Sequence, residues 1–424
     1  MSIPSGYKCN QWGWFFKDSD NSGPYYLGPD GIMHQWGAGA GELTTDAWGV
    51  QKVSLAYSLF HGMWTYNIPN NMWFTYENGI QVYSSTAVTS VNSAAHIVTS
   101  STITTALLES RECPRYQPNR GALYSTSLWA PNKNANGVRD FGLFTAANGV
   151  FFRIKADGLL YAVVRSGGVE TYEAVIDTSV LDGFDVEKNN IYDIQFQWRG
   201  AGNYLFFIGD PKAGVSKLVH KIDYLGKLTR LTIQNPALPA SYMCTRITEN
   251  VELNIGCVDI TTENGKRDSG QYASVYTEAT SANGTNIPVI AIRNPLMALG
   301  RINTRHIELG RIIVTCDKKA VFKVWAFRDP TAIIGATFAG INYGSFVESD
   351  SPFSAPGAVR ATSVTTALMR PLLSIPVQAG VTRVQDNPLP LVTSYKLVRG
   401  DYILVTCSAS VGSCDVVIEW AEII

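Results

Sequence analysis

The chain has 424 residues and a formal net charge of -1, from 34 Lys+Arg against 35 Asp+Glu; 46% of it is hydrophobic and only 16% charged. Globular domains average about 25% charged residues, so this surface is kept polar by Ser, Thr, Asn, Gln and Gly, and a counterion-releasing nucleic-acid binder, which needs clustered Lys and Arg, is excluded. Near-neutrality also removes self-repulsion and favours association with copies of the same chain.

The start, Met1 to Cys9, has no basic segment followed by an apolar stretch, so no secretory signal is expected, and no apolar run approaches the ~20 residues of a membrane span. Residues 1–80 hold six of the ten tryptophans (Trp12, Trp14, Trp36, Trp48, Trp64 and Trp73) among many glycines. They are read as an N-terminal docking segment that packs its aromatics on a sandwich or on a neighbouring subunit. Asp18, Asp20 and Ser22 before Gly23 resemble half of a calcium loop, but Pro29 stands where the bidentate ligand belongs, so a polar turn is expected.

Beyond residue 80 the apolar pattern has period two. Ile194, Phe196 and Trp198 alternate with Asp193, Gln195 and Gln197, which predicts strands. Asn-Gly pairs at Asn78, Asn136, Asn148, Asn264 and Asn283 read as hairpin turns. The clearest stretch, 138–176, predicts a four-strand meander turning at Asn148-Gly149, Asp157-Gly158 and Gly167-Gly168, with a further pair at 190–198 and 203–208. A meander has one apolar face and needs a second sheet to cover it.

The expected fold is all-β: two β-sandwich, jelly-roll-like domains preceded by an aromatic-rich extended N-terminal segment. The first sandwich spans 81–262, a polar linker 263–286 and the second sandwich 287–424. Strands are predicted at 287–293, 305–316, 319–326, 366–376, 392–407 and 413–423. The Gly, Ser and Pro-rich loop 343–360 carries Tyr343, Phe346 and Phe353, which are candidate glycan contacts by ring stacking.

Catalytic signatures are missing. There is no G-x-S-x-G and no phosphate-binding G-x-x-x-x-G-K-[ST]. Asp182, Asp185 and Glu187 cluster beside an Asp-Gly turn and read as a solvated loop. Glu170 and Glu173, three apart in a strand, are expected on opposite faces. The seven cysteines contain no CxxC and the five histidines are scattered, so no metal site, cofactor or catalytic residue is expected. Cys407 and Cys414 could meet across a hairpin, but buried free thiols are the preferred reading.

Three blocks carry a resemblance. Asp46 to Ser54 (D-A-W-G-V-Q-K-V-S) and Tyr57 to Phe60 form the first. Arg115 to Gly121 (R-Y-Q-P-N-R-G), Arg139 to Phe144, Asn148 to Phe152, Val163 to Ser166 and Phe196 to Trp198 form the second. Trp325 to Pro330, Gly335 to Phe338 and Ile418 to Trp420 form the third. In order and spacing they resemble the β-rich virion structural proteins of tailed bacteriophages.

The resemblance implies a non-enzymatic virion component, assembled in the host cytoplasm as a homo-oligomer, taken as a trimer, with other virion proteins as partners. Host attachment through surface glycan is the alternative. Arg115 and Tyr116 join the six tryptophans as candidate assembly contacts.

Overall fold

The computed structural model describes residues 56–423 apart from 115, 118–119, 264–270, 278–279, 299, 342–344, 351–354, 356–357 and 387–395, together with four short strands before them. Those strands, Tyr7–Cys9, Phe15–Lys17, Tyr25–Leu27 and Met33–Gln35, form a sheet in sequence order. The regular structure of the described residues is almost entirely antiparallel sheet, and the chain divides into two compact units: residues 1–110 with 116–265, and 111–115 with 266–424. The expected all-β, sandwich-based fold is what the chain adopts.

The first unit stacks two eight-stranded sheets. The first sheet runs, in spatial order, Val169–Val175, Leu160–Ser166, Gly149–Ile154, Gly137–Phe144, Ala240–Arg246, Thr105–Ser110, Trp73–Glu77 and Ile80–Val82. Its first four strands are the predicted meander. The second sheet contains Ser216–Ile222, Tyr204–Gly209, Asn190–Phe196, Ala122–Trp129 and Glu252–Glu263, so the predicted pair near 190–208 lies in the sheet opposite the meander.

Period-two burial explains the stacking: along Ala122–Trp129 every second residue is buried, which sends one face of the strand into the core. There Phe141 stacks on Phe152 at 5.2 Å, and Tyr192 and Phe206 meet these rings edge-on at 5.0 Å.

Trp64 and Trp73 correct the expectation of a docking segment up to residue 80. Ala56–Met63 pairs with Glu252–Glu263 and Trp73–Glu77 with Thr105–Ser110, so residues 56–82 are part of the sandwich. Both indoles are buried, 5.3 Å apart, with Phe60 edge-on to Trp73. Gly62 makes room, since a Cβ there would stand 2.7 Å from the Trp73 ring. Trp12, Trp14, Trp36 and Trp48, and Asp18, Asp20, Ser22, Gly23 and Pro29 of the half calcium loop, lie outside the described residues.

The Asn-Gly signal also needs correction. Asn78-Gly79 has φ of 49° and 80° and joins Trp73–Glu77 to Ile80–Val82 as a tight hairpin should. Asn148-Gly149 closes the predicted hairpin between Gly137–Phe144 and Gly149–Ile154, but neither Asn148 nor Asn136 takes positive φ. Their glycines serve close strand approach instead: a Cβ on Gly137 would meet the Thr245 carbonyl at 2.6 Å, and one on Gly149 the Phe144 Cβ at 2.3 Å.

The second unit is built around one 22-residue strand, Tyr402–Ile423. Its first half pairs with Ala320–Phe327 and the later part of Thr280–Arg293; its second half pairs with His306–Cys316 and Gln271–Tyr276. Two strands predicted at 392–407 and 413–423 are thus one, and the segment 263–286 read as a linker contributes strands to this unit. Val381–Asp386, which the sequence reading missed, covers the far edge of His306–Cys316.

A buried polar node closes one end of this unit: Asp401 accepts from Arg328 Nε at 2.9 Å and lies 3.5 Å from Arg111 Nη1, while Arg399 Nε donates to the Arg111 carbonyl at 2.9 Å. Burial drives the Asp401 carboxyl upward against the two guanidiniums. The node explains why residues 111–115 group with the second unit.

Truncating the packed indole tests the reassignment of residues 56–80. Trp64→Ala should lower the stability of the first unit by about 3–5 kcal/mol, read from the shift of its urea midpoint. A shift below about 1 kcal/mol would mean that this tryptophan sits at a surface.

Candidate functional site

Among the described residues of the first unit, the outward face of the meander holds the densest set of interacting charges. Asp140, Phe151, Arg153, Tyr161, Val163 and Arg165 point away from the sandwich core because Phe141, Phe152, Ala162 and Val164, their chain neighbours, point into it. Register then sets Asp140 against Arg153 and Arg165 against Glu170 on adjoining strands.

Glu170 and Glu173 share that face, contrary to the expectation from their spacing. The pairing slips between Val164 and Arg165, so Val164 opposes Tyr172 while Arg165 opposes Glu170. Thr171 is the extra residue of a β-bulge, which reverses the alternation beyond it. Sequence periodicity alone cannot see this slip; the hint was the excess of acidic residues on a strand whose neighbours carry Arg153, Lys155 and Arg165.

Arg153 is the hub. Its Nε and Nη2 grip Asp140 at 2.7 and 2.9 Å, its Nη2 and Nη1 grip Glu170 at 2.8 Å each, and its Nη1 reaches Glu173 at 3.2 Å. Both forks are bidentate, the strongest arrangement an arginine offers. Arg165 Nη2 adds a bond to Glu170 at 2.9 Å and Lys155 Nζ one to Glu173 at 2.6 Å. Three carboxylates therefore balance three cations.

Aromatic rings floor the network. Arg153 and Arg165 lie 5.4 and 5.0 Å from the centroid of Phe151, and Lys155 Nζ lies 4.3 Å above the ring of Tyr161, within cation–π range. The Tyr161 hydroxyl donates to Asp157 Oδ2 at 2.5 Å.

Burial grades the face. Asp140 is fully buried, whereas Glu170 and Glu173 keep about a third of their side chains exposed, at 33% and 30%. Desolvation raises the Asp140 carboxyl above its ordinary range although Arg153 opposes the rise. The Arg153 bonds, with help from Arg165, hold Glu170 down to about 2. The hydrogen bond to Asp157 lifts the Tyr161 phenol to about 12.

The residues singled out from sequence lie elsewhere. Tyr116 is buried against Phe196 and Trp198, and its hydroxyl accepts from the Arg199 amide at 3.1 Å, so it is a core residue and not an exposed assembly contact. Arg115, Tyr343 and Phe353 lie outside the described residues. Phe346 is half-buried, with the Arg305 guanidinium over one face of its ring, 3.8 Å from the centroid. Asp185 and Glu187 hold the loop at Lys133, through its Nζ at 3.4 Å and its amide at 3.0 Å, and Asp182 pairs with Lys212; this is the solvated loop expected. Arg139, in the second resemblance block, is fully buried and donates to the carbonyls of Pro131, Asn132 and Glu252 at 2.9, 2.7 and 2.9 Å.

No protein-family model matches the chain, and no curated protein does. Among solved structures it is similar to an endo-acting O-glycanase of the human gut microbiota, with 11% identity over 49% of this chain and 100% of that one at a TM-score of 0.36. An endo-1,3-β-glucanase (laminarinase) of Thermotoga petrophila gives 10% identity over 50% and 100% at 0.35. Lectin I-B4 of Griffonia simplicifolia gives 10% over 48% and 99% at 0.31.

These are glycan hydrolases and a lectin, and no virion structural protein stands among them. On that finding the expectation of a non-enzymatic tailed-phage virion component is set aside, and so is the expectation that the chain is not an enzyme.

Two outcomes test the charge network. Arg153→Met strands Asp140 as a buried unpaired carboxylate, at a cost of about 3–5 kcal/mol. The deficit should be largest near neutral pH and shrink as acid protonates Asp140, which denaturant titrations at several pH values would read. Glu170, depressed from 4.5 to about 2, contributes stability that is present above pH 4.5 and lost as pH falls through 2. Glu170→Gln should flatten that stretch of the acid-unfolding curve.

Proposed function

We propose that the chain is a glycan-directed protein whose first unit takes an oligosaccharide on the outward face of the meander. One observation carries this reading: Glu170, Glu173, Arg153, Arg165 and Lys155 converge on one sheet face beside the Tyr161 ring, with both glutamates keeping a solvent edge. Sugar hydroxyls are at once donors and acceptors, so they bind well to planar carboxylates and guanidiniums already locked in place. A face ordered before binding loses little side-chain entropy when the ligand arrives. The ring beside it supplies the apolar surface that sugar C–H groups need, and a sheet holds such a constellation more precisely than loops do.

A second reading, hydrolysis of the bound glycan, draws on the two carboxylates that keep a solvent edge on the same guanidinium, Glu170 and Glu173, since glycosidases work with a pair of carboxyls.

The test is a glycan array with the wild-type chain, Tyr161→Ala and Glu170→Gln, followed by a reducing-end assay on any glycan bound. Binding that falls at least about tenfold in both variants, with their thermal midpoints within a few degrees of wild type, supports the proposal. Binding unchanged in both removes this face from consideration. Release of reducing ends by the wild type and not by Glu170→Gln selects the hydrolytic reading.

A further inference from the structure

We propose that Cys316, Cys407 and Cys414 of the second unit form a buried three-thiolate site for a soft monovalent cation of the Cu(I) class. The three side chains are fully buried, and their sulfur atoms all lie within 4.8 Å of one another. Cys414 is central, its Sγ standing 3.2 Å from that of Cys407 and 3.0 Å from that of Cys316.

The fold makes this meeting. Cys414 faces Cys316 directly across the antiparallel pairing of Tyr402–Ile423 with His306–Cys316. Cys407, on the first half of the same long strand, pairs with Ile287 and Phe322. The strand serves two sets of partners on either side of Ala409 to Gly412, and the thiols converge at that change of partner. Spacing alone offered two of the three; Cys316 comes from a strand about a hundred residues earlier in sequence.

Chemistry selects the ion. Metal–thiolate bonds of about 2.3 Å place the ligand sulfurs of a trigonal centre roughly 4 Å apart, which the 4.8 Å envelope admits once Cys414 Sγ moves out from its 3.0 and 3.2 Å contacts with Cys316 and Cys407. Among the described residues no fourth His, Cys, Asp or Glu lies within that envelope of all three sulfurs: Asp317 Oδ1 touches Cys316 Sγ at 4.0 Å but accepts from the Ser413 amide, whereas structural zinc is held by four ligands. Soft thiolates select Cu(I). Cys414 contacts both neighbours about equally, so pairing it with either one as a disulfide would leave the third thiol stranded.

The surroundings fit a thiolate that gives its proton to solvent as the ion enters. The Lys318 amide bonds the Cys316 sulfur, and the exposed turn at 317–319 supplies a route from solvent.

The test titrates the full-length chain with Cu(I) alone, anaerobically and under reduction, against bicinchoninate as the competing chelator. One Cu(I) per chain is expected, with affinity falling more than about 100-fold in Cys414→Ser and unchanged in Cys257→Ser, whose thiol lies outside the cluster. A metal-dependent rise in thermal midpoint should appear in the wild type and vanish in Cys414→Ser, whatever that variant's own stability. X-ray absorption of the loaded wild type should show three sulfurs around copper, a readout that needs no variant to fold. Nitrogen or oxygen ligands, equal affinity in Cys414→Ser, tetrahedral zinc taken in preference, or a Cys407–Cys414 disulfide in the reduced wild type would each overturn the proposal.

Discussion

A carboxylate with no exposed surface, placed mid-strand on a sheet, can stay charged only if a cation comes to it. Asp140 imposes that condition on the first unit, and Arg153 meets it from the adjoining strand with a bidentate fork. The guanidinium then has a second edge to satisfy, which fixes Glu170; Glu170 fixes Arg165, and Glu173 fixes Lys155. The order of this face is inherited from one buried acid. Bidentate geometry tolerates little displacement, so strand register and side-chain constellation are enforced together.

How much of this was legible in sequence depends on which rule each residue obeys. The meander could be read because Asp157-Gly158 and Gly167-Gly168 adopt the backbone their types favour and because Phe141, Val150, Phe152 and Val164 keep strict alternation on the core face. The glutamates could not be placed, because one bulge at Thr171 reverses the alternation, and the acidic composition of the strand hints at a shared face without locating the slip. Asn136-Gly137 and Asn148-Gly149 misled about backbone conformation, though the second does close its hairpin: glycine also serves where two backbones come close, and the dipeptide does not say which use applies. Trp64 and Trp73 suggested docking because tryptophan suits interfaces and cores alike, and only strand pairing distinguishes the two.

The functional expectation failed at a different level. The blocks that resembled virion proteins include turn and core positions, such as the carbonyl-satisfying Arg139 and the buried Phe141 and Phe152. Residues of that kind report how a β-sandwich is built, and unrelated proteins build sandwiches in similar ways. The outward face is only partly covered by those motifs: Asp140, Phe151, Val163 and Arg165 fall within them, whereas the hub Arg153 and the glutamates it holds, Glu170 and Glu173, do not.

The long strand Tyr402–Ile423 has a consequence for the order of events during synthesis. Thr280–Arg293, His306–Cys316 and Ala320–Phe327 all pair with it, so each emerges from the ribosome with an edge that stays open until residue 402 and beyond have been made. Open edges invite pairing with other chains, and non-local pairing of this kind is slow. The second unit therefore passes through a stage in which its own best-matched partner is not yet made, and its yield in a cell depends on how well those waiting edges are sheltered.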